Sequence, residues 1–118
     1  MRIHRGEVYY VRLGPTVGRE IDQKRRPVVV LSINDINSKP LVVTVIPGTS
    51  WQAKRPPHMN EVKVNPSAAN GLGNPTLFQC HQAKAIDHSR FGQDAAGMLA
   101  AKDLERIGEV VKLCLGLP

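Results

Sequence analysis

Residues 24–31 read KRRPVVVL, three cations and a proline followed by three valines and a leucine. β-Branched residues favour extended strands. A proline is tolerated at the first position of a strand, where its missing N–H removes no ladder hydrogen bond. The residue before a proline is pushed towards an extended conformation. We therefore predict a strand that begins at Pro27, with Arg26 held at its start.

Further strands are predicted on both sides of this one. Residues 6–13 (GEVYYVRL) and 41–46 (LVVTVI) are rich in β-branched and aromatic residues, and residues 60–65 (NEVKVN) alternate like a half-exposed strand. Residues 76–86 (TLFQCHQAKAI) are predicted as a fifth strand, in which Gln79 and His81 share a face.

The chain is expected to end in an amphipathic helix over residues 101–115. Leu104, Ile107 and Val111 recur there at helical spacing, and Gly116 follows as a stop signal. Five short strands and one packing helix indicate a mainly β, small antiparallel barrel. At 118 residues the chain is expected to form a single domain, 1–118.

The charge is unevenly distributed. The formal net charge is +6, and residues 1–59 hold ten Lys and Arg against four Asp and Glu, whereas residues 60–118 hold six of each. Such a basic field attracts polyanions such as nucleic acid. No apolar run approaches the ~20 residues of a membrane-spanning helix, and the first ten residues lack a signal-peptide pattern. We expect a soluble, cytoplasmic protein without membrane contact. Cys80 and Cys114 could pair in principle, but two buried thiols are the favoured interpretation.

Signatures of nucleotide and metal chemistry are missing from the sequence. It has no glycine-rich phosphate loop ending in Gly-Lys-Ser/Thr, no Cys-x-x-Cys pair and no His-Glu-x-x-His. His81, Asp87 and His88 are a conceivable metal set, but a single His-x6-His spacing is weak. Catalysis without a metal is the preferred interpretation.

Several short motifs, in this order, resemble the MazF/PemK family of toxin endoribonucleases. They are RGEV at 5–8, PTVGRE at 15–20, RP at 26–27, PGTS at 47–50 and QAKAIDHSRF at 82–91. The resemblance implies a CcdB/PemK-like, SH3-like barrel that forms a homodimer. It implies the toxin of a type II toxin–antitoxin system, which cleaves single-stranded RNA, commonly mRNA, and inhibits translation and growth. A cognate MazE-like antitoxin is the implied partner, and neither a metal nor a nucleotide cofactor is expected.

Cleavage of RNA without a metal uses the ribose 2′-OH as nucleophile and leaves a 2′,3′-cyclic phosphate. It needs a base, an acid and donors that hold the phosphoryl oxygens. The resemblance places Arg26 and Thr49 at the family's catalytic arginine and threonine, and Glu20 at its loop glutamate. Arg26 suits a phosphate clamp because its guanidinium is always charged, and Thr49 can donate to a phosphoryl oxygen. Each residue also has a non-catalytic interpretation. Arg26 could be a solvated surface cation, and Thr49 could be an ordinary turn threonine. Glu20 could simply form an ion pair with Arg19 or Arg26.

Two positions depart from the family pattern. Some members carry Arg and Asp on the fifth strand where this chain has Gln79 and His81. The ordinary pKa of histidine, ~6.5, suits acid–base catalysis at neutral pH. We hypothesise that His81 replaces the missing acid–base group, the alternative being an exposed strand histidine.

A wider set of polar and aromatic residues is predicted to bind RNA: Arg19, Lys24, Arg25, Ser50, Trp51, Lys54, Arg55, Gln79, Gln82 and Lys84. Arg12 is a further candidate for backbone contact. Trp51 can stack on a base or serve packing alone. The dimer interface is predicted at Ile107, Val111 and the carboxy-terminal tail.

Two rival functions remain. A CcdB-like DNA gyrase poison shares the barrel, but such poisons typically act through a tryptophan in the tail, and residues 114–118 (CLGLP) contain none. The other rival is a non-catalytic SH3-like RNA-binding module, which the residues at positions 79 and 81 keep open.

Overall fold

The computed structural model describes residues 2–14, 17–18, 25–52 and 55–118. Within these ranges lie seven strands, two α-helices and two 3₁₀ turns. The strands are β1 (Glu7–Arg12), β2 (Arg25–Val30), β3 (Val42–Ser50), β4 (Glu61–Val64), β5 (Thr76–Gln79), β6 (Lys84–Asp87) and β7 (Gly97–Met98). The helices are α1 (Asn34–Asn37) and α2 (Ala101–Leu115), and the 3₁₀ turns are Cys80–Gln82 and His88–Arg90.

The strands form one curled antiparallel half-barrel in the order β4-β5-β3-β2-β1-β7, with β6 also paired to β3. The nine-residue strand β3 is central because β2 pairs with one of its edges while β6 and β5 share the other. With α2 packed against the sheet, this architecture confirms the predicted mainly β barrel with a terminal helix.

Strand β2 begins two residues before the predicted start, at Arg25. Pro27 is its third residue and lies opposite Tyr10 of β1. The pairing of β2 with β3 starts only at Val28, so the edge of β2 that faces β3 makes no strand-to-strand hydrogen bonds at Pro27. The missing N–H of Pro27 is therefore tolerated inside the strand.

Two apolar cores lie on opposite faces of β1 and β2. One contains Val29 together with Phe78 and Ile107, and the other contains Val28 together with Val45. Consecutive side chains of a strand point to opposite faces, so the valine run of β2 is buried on both sides. This is why the segment reads as continuously apolar rather than alternating.

Helix α2 has the predicted bounds and ends at Gly116, whose φ of 69° is the left-handed conformation that favours glycine. Ile107 and Val111, 0% and 7% exposed, face the first core. The prediction that these two residues form a dimer interface is therefore wrong, because the chain's own core covers them. In the described part of the chain, no helix is long and apolar enough to cross a membrane.

The prediction of one continuous strand over residues 76–86 is also wrong. On the shared edge of β3, Phe78 lies opposite Gly48 and Lys84 lies opposite Val45. Three steps along β3 thus correspond to six steps along the partner chain. The surplus residues leave the ladder as the turn Cys80–Gln82.

Candidate active site

Arg26 and Thr49 lie on the same face of the sheet. Val28 of β2 pairs with Pro47 of β3, and this register, continued by two residues, brings Arg26 level with Thr49. Residues two apart in a strand share a face, and directly opposite residues do so as well. Both residues are half-buried. The hydrogen-bonded pairing itself ends at Val28 and Pro47, so the two residues that the resemblance singled out lie just beyond it, on the same face of the sheet.

A buried amide connects Thr49 to a carboxylate. Gln79 of β5 lies directly opposite Glu61 of β4, and each is 8% exposed. The Gln79 Nε2 group donates to Glu61 Oε2 at 2.8 Å and lies 3.4 Å from Thr49 Oγ1. The three side chains form a continuous polar row across β3, β5 and β4, which we call the amide relay.

Glu61 is held as an anion by its neighbours. Arg55 Nη1 and Nη2 donate to its two carboxylate oxygens at 2.7 and 3.0 Å, and the backbone N–H of His58 adds a bond of 2.8 Å. Hydrogen bonding from Arg55 is the main cause that lowers the pKa of Glu61 to about 2, and it outweighs the opposing effect of burial. Bonds from His58 and Gln79 lower the pKa further. At neutral pH this carboxylate accepts hydrogen bonds and donates none.

The ionised carboxylate fixes the orientation of the Gln79 amide. Because Glu61 can only accept, the amide must turn its NH₂ group towards it. The same NH₂ group then faces Thr49 Oγ1, which becomes the acceptor of that contact. The Thr49 hydroxyl proton remains available for a substrate oxygen.

Trp51 and Lys63 border the amide relay. Trp51 follows Thr49 by two residues, and its indole N–H donates to the backbone carbonyl of Arg55 at 3.2 Å. The Lys63 ammonium lies 3.6 Å from the centre of the Trp51 ring, a cation–π geometry. Trp51 is therefore well fixed, and its use as a stacking platform stays a prediction. Ser50 is exposed, and strand alternation turns it away from the face of Thr49.

His81 lies on the 3₁₀ turn rather than on β5. It is exposed, and its Nδ1 is 2.8 Å from Asn60 Nδ2. Asn60 directly precedes Glu61, so His81 stands at the rim of the amide relay and not on the predicted strand face with Gln79. The break in the strand after Gln79 causes this difference.

The remaining residues that were predicted to bind RNA do not all lie beside the amide relay. Lys84 donates to the backbone carbonyl of Leu13 at 3.2 Å, where it holds the end of β1. Gln82 is half-buried on the turn after β5. Arg55 is engaged by Glu61, and its role in binding RNA stays a prediction. Glu20, Arg19, Lys24 and Lys54 lie outside the described residues.

Glu61 and Lys63 were not anticipated as site residues. The pattern NEVKVN predicts their strand, and alternation puts both on one face. The sequence carries no sign of the burial of Glu61, because an acidic residue in an alternating strand is expected on the exposed face. Its partners come from the preceding loop and from β5, and no local pattern predicts those contacts.

The possible metal set is not assembled. Among the residues that the structure describes, no three His, Cys, Asp or Glu side chains come together as a metal-binding group. Cys80 and Cys114 are both free thiols, but only Cys80 is buried while Cys114 is half-buried, so the expectation of two buried thiols holds for Cys80 alone. Burial is the main cause that raises the pKa of Cys80 to about 12.

Comparison with known proteins decides the family. The model of the PemK-like, MazF-like toxins of type II toxin–antitoxin systems matches residues 4–115. The chain belongs to this MazF/PemK family. The predicted resemblance is thereby confirmed, and it extends over nearly the whole chain. No curated protein sequence matches the chain.

Solved MazF structures have the same fold as this family member. MazF from Deinococcus radiodurans is 23% identical with a TM-score of 0.80, covering 99% of each chain. The Mycobacterium tuberculosis toxin MazF-mt6 is 23% identical with a TM-score of 0.73, covering 95% of this chain and 98% of its own. An endoribonuclease in complex with its cognate antitoxin, from a mycobacterial species, is 20% identical with a TM-score of 0.73, covering 99% and 96%.

Proposed function

We propose that this MazF/PemK family member is a metal-independent, sequence-selective endoribonuclease that cleaves single-stranded RNA, including mRNA, and so inhibits translation and growth. The observation that carries the proposal is the placement of Arg26 and Thr49 at corresponding positions of β2 and β3 on one face. Family membership supports it, as do similar structures named endoribonuclease.

In the proposed reaction the ribose 2′-OH attacks the adjacent phosphate, and the 5′-oxygen of the next nucleotide leaves. A 2′,3′-cyclic phosphate and a 5′-hydroxyl result. Arg26 holds the non-bridging oxygens as negative charge develops on them. Stabilising such developing charge is usually the largest single contribution to catalysis. Thr49 donates its hydroxyl proton to the same oxygens, because Gln79 already occupies the acceptor side of that hydroxyl.

Glu61 is a positioning residue in this mechanism. Its permanent charge fixes the amide of Gln79, and the amide orients Thr49. Arg55 compensates the buried charge, so the three side chains keep one arrangement before RNA arrives. Donors held in place in advance need no reorganisation during the reaction.

Glu20 is proposed as the base and His81 as the acid. The charged His81 ring, with a proton on both nitrogens, can give its Nε2 proton to the leaving oxygen, and the Asn60 amide then presents its oxygen to Nδ1. Replacing His81 by Ala is expected to lower the cleavage rate and flatten its pH profile. An unchanged rate and profile would contradict this role.

The proposed activity is tested with purified protein and a long single-stranded RNA in EDTA. We expect cuts that leave 2′,3′-cyclic phosphate ends. Arg26→Ala should abolish cutting, and Thr49→Val should slow it roughly 10²-fold, both with thermal unfolding unchanged. Arg2→Ala removes an exposed arginine elsewhere and is the matched control, which should cut normally.

The two rival functions predict other results in the RNA cleavage assay and in a parallel DNA gyrase assay. Intact RNA together with inhibited DNA gyrase would support a CcdB-like poison. RNA that is bound but never cut would support a non-catalytic binding module. Cutting that persists in Arg26→Ala would contradict the assigned clamp.

The partners of the proposed toxin are a second copy of the chain and a MazE-like antitoxin, with the cytoplasm as the site of action. Solved MazE–MazF complexes of the same fold support the antitoxin. We expect the antitoxin to suppress RNA cleavage when it is added in equimolar amount.

A further inference from the structure

A second basic site lies on the face of β1 and β2 that is opposite Arg26. Arg12 and Arg25 are directly opposite each other on these strands. Strand alternation turns Arg25 away from the face of its neighbour Arg26. Arg90, from the 3₁₀ turn after β6, joins them around a cleft of about 260 Å³, which we call the arginine cleft.

Positive charge predominates in the described lining of the arginine cleft, although the Asp87 carboxylate, bonded to Ser89, interacts with Arg90 from outside the lining. Like charges directly opposite on paired strands are destabilising. Arg25 donates to the neutral amide oxygen of Gln93, and Arg90 donates to the backbone carbonyl of Arg12 at 3.0 Å. The described residues that line the cleft include three arginines and neither Asp nor Glu.

The chemistry of the cleft selects a phosphate as its ligand. Guanidinium groups bind phosphate oxygens through paired, charge-assisted hydrogen bonds. All three arginines are exposed and therefore accessible. The Ser89 hydroxyl and the Gln93 amide supply neutral polar groups in the same lining. An anion that enters this cleft relieves the repulsion among the arginines and gains hydrogen bonds.

We propose that the arginine cleft binds a backbone phosphate of the RNA substrate, at a nucleotide outside the scissile position. The proposal rests on the proposed endoribonuclease function and extends it. Arg25 and Arg26 are consecutive residues whose side chains lie on opposite faces, so one RNA strand that passes around the start of β2 reaches both. The cleft contributes affinity without base specificity, since phosphate contacts do not read sequence.

The test uses the double variant Arg12→Gln/Arg25→Gln. Binding of a fluorescent 20-nucleotide RNA is measured by anisotropy at several salt concentrations, with Thr49→Val in every protein to slow cutting and 2′-O-methyl nucleotides in the RNA to prevent it. We expect the double variant to bind roughly tenfold more weakly, and the slope of log K against log salt to fall by about 1.4 for two lost contacts. Thermal unfolding should show no loss of stability, because repulsion has been removed.

The control and a second measurement separate a local from a general charge effect. Arg2→Gln/Arg106→Gln removes the same charge elsewhere and should leave affinity and salt slope close to wild type. In proteins that retain Thr49, the double variant should keep the kcat of the parent at saturating RNA and raise only KM. A fall in kcat, or an equal change in the control, would overturn the proposal.

Other outcomes distinguish the source of the anion. If the double variant loses binding of inorganic phosphate or of an acidic antitoxin peptide while RNA affinity and salt slope stay unchanged, the RNA assignment is wrong. If the double variant binds RNA as tightly as the wild type and the wild type cuts RNA normally, the proposal for the cleft is wrong, but the proposed endoribonuclease function stands. Wild-type protein that neither binds nor cuts RNA defeats the proposed function itself.

Discussion

Replacing Glu61 by Gln is the most direct probe of the amide relay. The substitution keeps the size of the side chain and its acceptor oxygen but removes the charge that Arg55 compensates. The Glu61 side chain is only 4% exposed, so solvent does little to screen the loss. We expect a marked loss of stability at neutral pH, because the hydrogen bonds from Arg55, His58 and Gln79 lose their ionised acceptor.

The magnitude follows from the pKa of Glu61. Folding lowers it from an ordinary 4.5 to about 2, and each pKa unit corresponds to about 1.4 kcal/mol. The ionised carboxylate therefore contributes about 3 kcal/mol at pH 7. A pKa lowered in the folded state means that this contribution is complete above about pH 4.5 and is lost as the pH falls towards 2. At pH 3 roughly half of it remains.

The assay is urea unfolding of wild type and Glu61→Gln at pH 7 and pH 3. The difference in the free energy of unfolding cancels the contributions of the other carboxylates. It should fall from about 3 kcal/mol at pH 7 to roughly half of that at pH 3. Glu109→Gln, which removes a 75%-exposed carboxylate paired with Lys112, is the matched control and should change stability by less than about 0.5 kcal/mol. A difference of the same size at both pH values would refute the reasoning.

Three further predictions concern the scaffold and its thiols. Asn70→Ala should cost roughly 2–4 kcal/mol in urea unfolding, because the buried side chain makes three hydrogen bonds to the backbone; a loss below 1 kcal/mol would contradict this. Gly48→Ala should cost about 1–3 kcal/mol in the same assay, since the added Cβ would lie 2.5 Å from Thr76 Cγ2, and an unchanged stability would show that Thr76 moves aside. In native protein Cys114 should react with Ellman's reagent well before Cys80, which is 1% exposed and has a raised pKa; equal rates would contradict the burial.

The sequence predicts the local part of this structure well. The valine run of β2 and the helical spacing in α2 are patterns within one segment, and both elements form nearly where they are expected. Short-range signals are sufficient for these two elements because each pattern lies within one segment. The register that sets Arg26 against Thr49 is not predicted from the sequence.

What the sequence does not predict depends on distant partners. The break at Cys80–Gln82 arises because β5 and β6 must both fit the same edge of β3, and nothing within residues 76–86 encodes that fit. The same limit applies to Glu61, whose charge is acceptable only because Arg55 and Gln79 reach it. A buried carboxylate without such partners would be strongly unfavourable.

The register between β1 and β2 determines which arginine serves which proposed site. Arg25 lies opposite Arg12 at the arginine cleft, and Arg26 lies on the face of Thr49. A shift of one residue would exchange their faces, because side chains alternate with a period of two. It would also turn the valines of β2 towards the wrong cores, so the burial of Val28 and Val29 opposes the shift. The apolar half of KRRPVVVL therefore fixes the direction of its two strand arginines.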